Sequence, residues 1–558
     1  MKNGKQKQSE RATYYREMYE YASSRHSATI DSLQRNMQQY LGSDEIDGSA
    51  ERAGVVRNIT YELIESEISA DIPLPKVDSD ICTPEREANA AAIEKLCANV
   101  KRRLPFEEMN DKDERYTYIY GASVWYAEWE CDGEDGGIRI YCLSPLHFIP
   151  QPDVNDISDM EYCFLRFTTT KSEVMRKYSV TAAECALLEC EYESGKNPDS
   201  DTVSVIICFY RDTDGEIGKL VFSGEVVLSE HERYYERKRR VCAVCGAEEG
   251  ACNCKADFIT LPVSSEIQTD GKGGKMNLPY YIPHRFPIVI RRNTPEDEGV
   301  FGCSDCEKIR HQQQAINKVE TRILQKLVRA GVIPVVPEDC TINMNNSIFG
   351  QVIKMRPGES LTSYGKIDTT PDVSKDIEEA DRLYEQAKRV LGISNALQGS
   401  DDTKFESGYA RQLKISQATS RLESKRRMKY HAYAEIYRMI FEHYLAFADR
   451  VRSFAYKDTF GVLHTLSFDR HDFIVMGEDG TLRYKDDFLF SVNLDVGGEY
   501  RREELWERNL ANLTSGTLGD KESPLTLLRY WQLQELAHYP NARENVEYFR
   551  AITEERNQ

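Results

Sequence analysis

No apolar run in these 558 residues approaches the ~20 residues a membrane helix needs; the longest, such as 203–210, stop far short. The start, Met1-Lys2-Asn3-Gly4-Lys5-Gln6-Lys7-Gln8, is charged with no apolar core behind it. That pattern predicts a chain without a leader, folding in a reducing cytoplasm. A basic excess is also missing. Lys and Arg number 72 against 92 Asp and Glu, a net charge of −20, which excludes a protein that coats nucleic acid with a general basic surface. Catalytic signatures are lacking as well. Gly271-Lys272-Gly273-Gly274-Lys275 is followed by Met276, where a P-loop needs a Ser or Thr for its magnesium, so the chain is not a P-loop ATPase. His231-Glu232 runs into Arg233, Tyr234 and Tyr235, not the second His of HExxH, and no GxSxG elbow occurs. Carboxylates are too numerous for one pair to stand out as acid and base, and the chain is read as non-enzymatic.

What is present is enough apolar material for several cores: 40% hydrophobic and 10% aromatic residues, in a chain longer than one core usually organises. Fifteen cysteines in a reducing compartment are expected to be free or metal-bound. Cys242, Cys245, Cys252 and Cys254 form the chain's one strong chemical constellation, with Gly246 and Gly250 allowing the chain to fold back. Four thiolates make a closed tetrahedral site, so the expected occupant is one structural Zn2+ per chain; the second pair is CxC where zinc ribbons usually show CxxC. The basic run Arg237-Lys238-Arg239-Arg240 just upstream reads either as a solvated face or as a nucleic-acid contact. Cys303 and Cys306 sit at a helix start, but without the βαβ context of a thioredoxin-like motif they read as packed thiols.

The most informative stretch is 302–451. Ile309, Ile316, Val319, Ile323 and Leu327 recur every three or four residues and predict a helix over about 306–330, ended by Gly331. Lys318, Arg322 and Lys326 stand four apart along another side of it. Residues 332–372 hold Pro334, Pro337, Pro357 and Pro371 and the strand-like Val352-Ile353-Lys354-Met355, and cannot be helix throughout. A second helix is expected from Ser374, with acids in its first turns and Lys388, Arg389 and Gly392 at its end. A polar loop follows, and then a long helix over about 408–451.

This order of elements resembles the portal proteins of tailed bacteriophages, the long-tailed siphophage-like group in particular. Similar to that family are also Arg285-Phe286-Pro287-Ile288-Val289 ahead of the first helix, Asn58 to Glu65 followed by Pro73 and Pro75, and Gly121-Ala122-Ser123-Val124-Trp125-Tyr126 leading to Leu143-Ser144-Pro145. The resemblance implies an α+β portal fold: an N-terminal helical part of the wing (1–119), an α/β wing (120–298) with the cysteine-rich insertion 242–254, and a first stem helix (299–333). A small β-containing clip (334–372), a second stem helix (373–392) and a tunnel loop (393–407) follow. The long helix with the remaining wing strands (408–500) and a helical crown (501–558) complete it. It further implies a dodecameric ring at the capsid vertex of the virion, assembled in the bacterial cytoplasm, through which double-stranded DNA is packaged and ejected. Its partners would be terminase, the major capsid and scaffold proteins, and head–tail adaptors, with no membrane involved.

Within that frame Lys404 and Phe405 are the residues expected nearest DNA. The cations Lys318, Arg322 and Lys326 are expected to answer Glu378, Asp381 and Glu385 on a neighbouring subunit, the alternative being weak basic rings in the lumen. Twelve copies of a −20 chain would carry about −240, and an acidic lumen repels phosphate and lets the duplex slide. The cluster Arg421, Lys425, Arg426, Arg427 and Lys429 is left between DNA, scaffold and a neighbouring subunit. The rival readings are a zinc-ribbon nucleic-acid-binding protein, which needs a basic domain, and a head–tail adaptor, which needs less chain than this.

Overall fold

In a computed structural model the chain is described over residues 2–43, 56–130, 136–178, 202–236, 238–242, 258–262, 265–268, 275–278, 281–328, 332–335, 365–368, 371–393, 408–448, 451–457, 463–476, 482–492, 498–536 and 542–557, less positions 82 and 298 and with a few isolated residues besides. Helix makes up 54% and strand 23% of it, and every described strand pair is antiparallel, which places the chain in the α+β class. The helices are α1 (Lys2–Leu41), α2 (Ile59–Glu65), α3 (Pro84–Arg103), α4 (Phe106–Tyr120), α5 (Lys171–Tyr178), α6 (Asp305–Lys308), α7 (Arg310–Val328), α8 (Ser374–Leu391), α9 (Gly408–Phe447), α10 (Gly498–Thr514), α11 (Pro524–Leu536) and α12 (Ala542–Asn557). Among the described residues no helix is long and apolar enough to cross a membrane. The chain divides into two compact units, Met1–Leu33 with Ile68–Ser304 and Asp401–Gln558, and Gln34–Glu67 with Asp305–Ser400.

The larger unit is built on a five-stranded meander, Phe148–Pro150, Tyr162–Thr170, Thr202–Arg211, Ile217–Ser223 and Val226–His231, paired in that order. The apolar run noted at 203–210 is its central strand, buried on both faces. Val203, Val205, Ile207 and Phe209 join the main core, while Ile206, Cys208 and Tyr210 pack with Ala22, Tyr15 and Tyr19 of α1. A three-stranded sheet, Ile288–Arg292, Ala122–Glu130 and Gly137–Leu143, lies in the same core. The later turns of α9 run through it, with Tyr433, Ile436, Tyr437, Ile440, Phe441 and Leu445 all buried.

That core contains charge. Arg291, 1% exposed, donates to Asp113 and, at 2.7 Å, to Glu114, while Lys429 stands 3.1 Å from Glu114. Two cations and two carboxylates therefore balance out of water, as buried charges must. Ser123 and Trp125 also donate to Asp113, the indole at 2.8 Å, and Glu114 accepts from the Ser69 amide at 3.0 Å. Arg291 and Lys429, supported by hydrogen bonds, hold the Glu114 carboxyl below the usual range against the opposing effect of burial. Lys429 also donates to the carbonyls of Asp71 and Ser69. It is therefore withdrawn from the basic cluster on α9, where sequence left it open to DNA; Lys425 lies 4.9 Å over the Tyr118 ring and Arg427 pairs with Glu423 at 2.9 Å.

The same packing explains the Gly121–Tyr126 phrase. Gly121 ends α4 in the left-handed conformation, φ 87°, and a Cβ there would lie 2.0 Å from the Gly302 carbonyl oxygen. Only glycine fits.

Candidate subunit-contact surface of the helical pair

The smaller unit is organised by α7 and α8, which pack on each other and on α2. α8 begins and ends where the sequence says it should. Asn58 caps α2, its Oδ1 accepting from the Tyr61 amide at 3.0 Å. Asp376 stands in the first turn of α8 and Lys388 and Arg389 in its last, and Gly392 closes it in the left-handed conformation, φ 82°. The expected helix over 306–330 is instead two pieces, α6 and α7, broken at Ile309. Strand then starts at Val332, inside the stretch assigned to the first stem helix, and Val332–Val335 pairs with Gly365–Asp368. Pro334 is tolerated because, among the described residues, this ribbon has two strands and so an edge without a donor is available. The insert's two ends thus meet as a β-ribbon; Val352 to Met355 lie outside the described residues.

Inside the pair, Ile59, Leu63, Ile309, Ile316, Ala387, Leu391 and Ile393 form the core. An amide network locks it. Gln313, 2% exposed, accepts from the backbone and hydroxyl of Thr60 at 3.0 Å each and donates to the Arg57 carbonyl at 2.7 Å and to Asn317 at 2.9 Å. Gln39 donates to Thr60 and to the Cys306 carbonyl, and Arg310 reaches Asn36 and Gln39. The sequence signal for this network was two amides, Gln313 and Asn317, one turn apart beside an apolar stripe.

The stripe on α7 does not stay buried. Ile309 and Ile316 are fully enclosed, but Leu324, Leu327 and Val328 are 41%, 50% and 75% exposed, and on α8 Ile377 and Val390 are 48% and 50% exposed. Five large apolar side chains on two neighbouring helices leave an unburied surface on the order of 1 kcal/mol of hydrophobic driving force each.

The charges beside them are already engaged within the chain. Arg322 lies 2.6 Å from Asp376, and Lys326 donates to the other oxygen of the same carboxylate. The Lys326 hydrogen bond and the Arg322 charge hold the Asp376 carboxyl below its usual range. Of the acids singled out from sequence, Asp381 pairs with Arg57 at 3.4 Å and Glu385 with Lys388 at 3.6 Å. Glu378 and Lys318 are exposed. The acid that answers Arg322 and Lys326 is thus Asp376 of the same chain, because helical phase puts it, not Glu378, Asp381 or Glu385, opposite the end of α7. Arg57, which also reaches Glu320 at 3.6 Å, was missed. It sits before α2, far from either helix in sequence.

Lys404 and Phe405 lie outside the described residues, as do Cys245, Cys252 and Cys254. Cys242 is buried at the end of the strand Lys238–Cys242, so Lys238, Arg239 and Arg240 of the basic run are strand residues.

No protein-family model matches the chain, and no curated protein matches it.

Proposed function

We propose that the chain is the portal protein of a tailed bacteriophage, a ring of about twelve copies at the capsid vertex through which double-stranded DNA enters and leaves. The observation that carries this reading is the helical pair. Two adjacent helices with a locked polar core leave Leu324, Leu327, Val328, Ile377 and Val390 open to solvent, while the cations beside them are neutralised within the chain. A surface of that kind is completed by lateral contact with further copies of itself. The β-ribbon closing the insert between α7 and α8 fits a clip, and the antiparallel sheets with the buried half of α9 fit a wing. The last three helices, α10 to α12, fit a crown.

On this reading the protein is a conduit and docking platform, not an enzyme. Its net charge of −20 suits a channel that must not grip its cargo, since close phosphate contacts bind through counterion release and would hold the duplex still. Terminase during packaging, and head–tail adaptors afterwards, would dock on the clip, and scaffold and capsid proteins around the ring. Native mass spectrometry and negative-stain imaging of the purified full-length protein test it. Rings of about a dozen copies with a central hole are expected; a monomer or dimer that persists at high concentration and across salt overturns the reading.

A further inference from the structure

We propose that a cavity of about 690 Å3 beside α9 is a binding site for a small organic oxyanion, a carboxylate or phosphate ester carried on an apolar body. The cavity lies wholly within the larger unit, between α9, the strand Ile288–Arg292 with the residues leading into it, and the turn at 156–158. One face of α9 lines it: Met428, Ala432, Glu435, Met439 and Glu442 recur at alternating four- and three-residue spacing. Small-molecule sites typically enclose about 300–1,000 Å3, so the space suits a compact ligand.

Arg211 supplies the recognition. Backbone groups alone fix its guanidinium: Nε donates to the Met160 carbonyl at 3.0 Å, Nη1 to that of His284 at 2.8 Å and Nη2 to that of Ser158 at 3.2 Å. Its central carbon also stands 4.9 Å from the centre of the Phe286 ring. Those bonds use three of the five N–H donors of a guanidinium and leave two. Among the described residues no carboxylate pairs with Arg211. A positive charge held in place and not neutralised is ready for a planar oxyanion, which can accept two parallel bonds from it.

The other cations of the wall are partnered. Arg292 reaches Asp156 at 3.6 Å and the Asn155 carbonyl at 2.7 Å, and Arg285 and Arg438 share Glu435. Burial pushes the Glu442 carboxyl up to about 7, so below that pH four arginines face only two charged acids, Asp156 and Glu435. The cavity is thus locally cationic in a chain of net charge −20. Phe286, Ile288, Ile290 and Met439 add apolar wall, which asks for an amphipathic occupant. A nucleic-acid strand fits less well, because a polyanion meets the repulsion of the whole acidic chain while one oxyanion meets mainly the nearby arginines.

Binding is read on each chain whether or not rings form, so the test stands apart from the portal reading. The probe is 1-anilinonaphthalene-8-sulfonate, an anion on an apolar body, titrated at about pH 6 into full-length protein shown to be folded by near-ultraviolet dichroism. About one saturable site per chain is expected, with octanoate or octyl phosphate displacing the probe and the tighter of the two naming the head group. Octanol, which has the tail without the charge, should displace it at least ~10-fold more weakly. Arg211→Gln should weaken probe binding at least ~10-fold, and so should Met428→Trp, which fills the cavity and leaves the bonds of Arg211 in place. Arg25→Gln, at an arginine 59% exposed elsewhere on the unit, and Leu327→Asn with Val328→Asn in the smaller unit should each leave binding within ~2-fold of wild type. No saturable site in folded wild-type protein, displacement by octanol as tight as by the anions, or unchanged binding in both Arg211→Gln and Met428→Trp overturns the proposal.

Discussion

The two units place their principal charge clusters differently. In the larger unit Arg291, Lys429, Asp113 and Glu114 are driven into the core and satisfied there by one another, by Ser123 and Trp125 and by backbone groups. In the smaller unit the ion pairs lie at the surface, Arg322 and Lys326 being 55% and 37% exposed, and apolar residues stand out beside them. One unit keeps its costly groups inside and closes its core around them. The other is locked by amides and leaves its outer face unfinished. Buried, mutually satisfied charge thus marks the larger unit's core, and exposed apolar side chains beside ion pairs mark the α7–α8 pair.

Removing one partner from the buried cluster is the most severe way to break that contrast. Arg291→Ala leaves Asp113 and Glu114 in the core with only Lys429 to balance them, and a cost of about 3–5 kcal/mol is expected in chemical denaturation, with loss of soluble protein if the native margin is small.

A second lever is pH. Glu442 lies on α9 in a cavity of about 690 Å3 lined also by Arg285, Phe286, Glu435, Arg438 and Met439. Burial pushes its carboxyl up to about 7, with Asp486 and Glu435 adding to the rise and Arg285 and Arg438 opposing it. Because the folded state holds this proton more tightly than the unfolded state, its contribution is complete below the unfolded value of 4.5 and is lost as pH rises through about 7. Unfolding free energy should therefore fall between pH 5 and 8 by up to about 3 kcal/mol from this group. Glu442→Gln should flatten that part of the profile, and an unchanged slope would remove Glu442 as its source.

Much of this was legible in the sequence, and the limits have physical causes. Helix ends were readable because caps and dipole charges are local: Asp376, Lys388 and Gly392 mark α8 within one short segment. The central strand Thr202–Arg211 showed as an apolar run at 203–210, and α9 as a long helix expected over about 408–451. The buried charge cluster was not readable. Asp113 and Glu114 sit in a charge-rich helix that resembles a solvated one, and their partner Arg291 lies 178 and 177 positions away. The pairing of Arg322 and Lys326 with Asp376 inside one chain was not read from the sequence, where Asp376 counted as a helix-start residue. The expectation that Lys404 and Phe405 lie near DNA rests on a resemblance in the order of elements alone, and both lie outside the described residues.

On the unfinished face, Leu327→Asn with Val328→Asn should weaken each subunit contact by about 1–2 kcal/mol while leaving the fold of the separated chain within about 0.5 kcal/mol of wild type. Analytical ultracentrifugation against concentration checks it. If assemblies form and these variants dissociate no sooner, the apolar face is not the contact.

The smallest effect decides where the stem charges act. Arg322 and Lys326, 55% and 37% exposed, share within one chain the Asp376 carboxylate, itself 8% exposed, and the solvent around the cations keeps the pairing weak. A double-mutant cycle with Arg322→Ala and Asp376→Ala, run on chains dissociated by the apolar-face substitutions, should therefore return a coupling of a few tenths of a kcal/mol. The same cycle on Arg322 and Glu378, which faces solvent in the isolated chain, should return none. Should the Arg322–Glu378 coupling emerge only in assembled protein, the cation reaches across the subunit contact and its bond to Asp376 is the resting arrangement it exchanges on assembly. Should the Arg322–Asp376 coupling persist unchanged in any assembly that forms, the register of that assembly is set by apolar shape and the charges serve the helical pair alone.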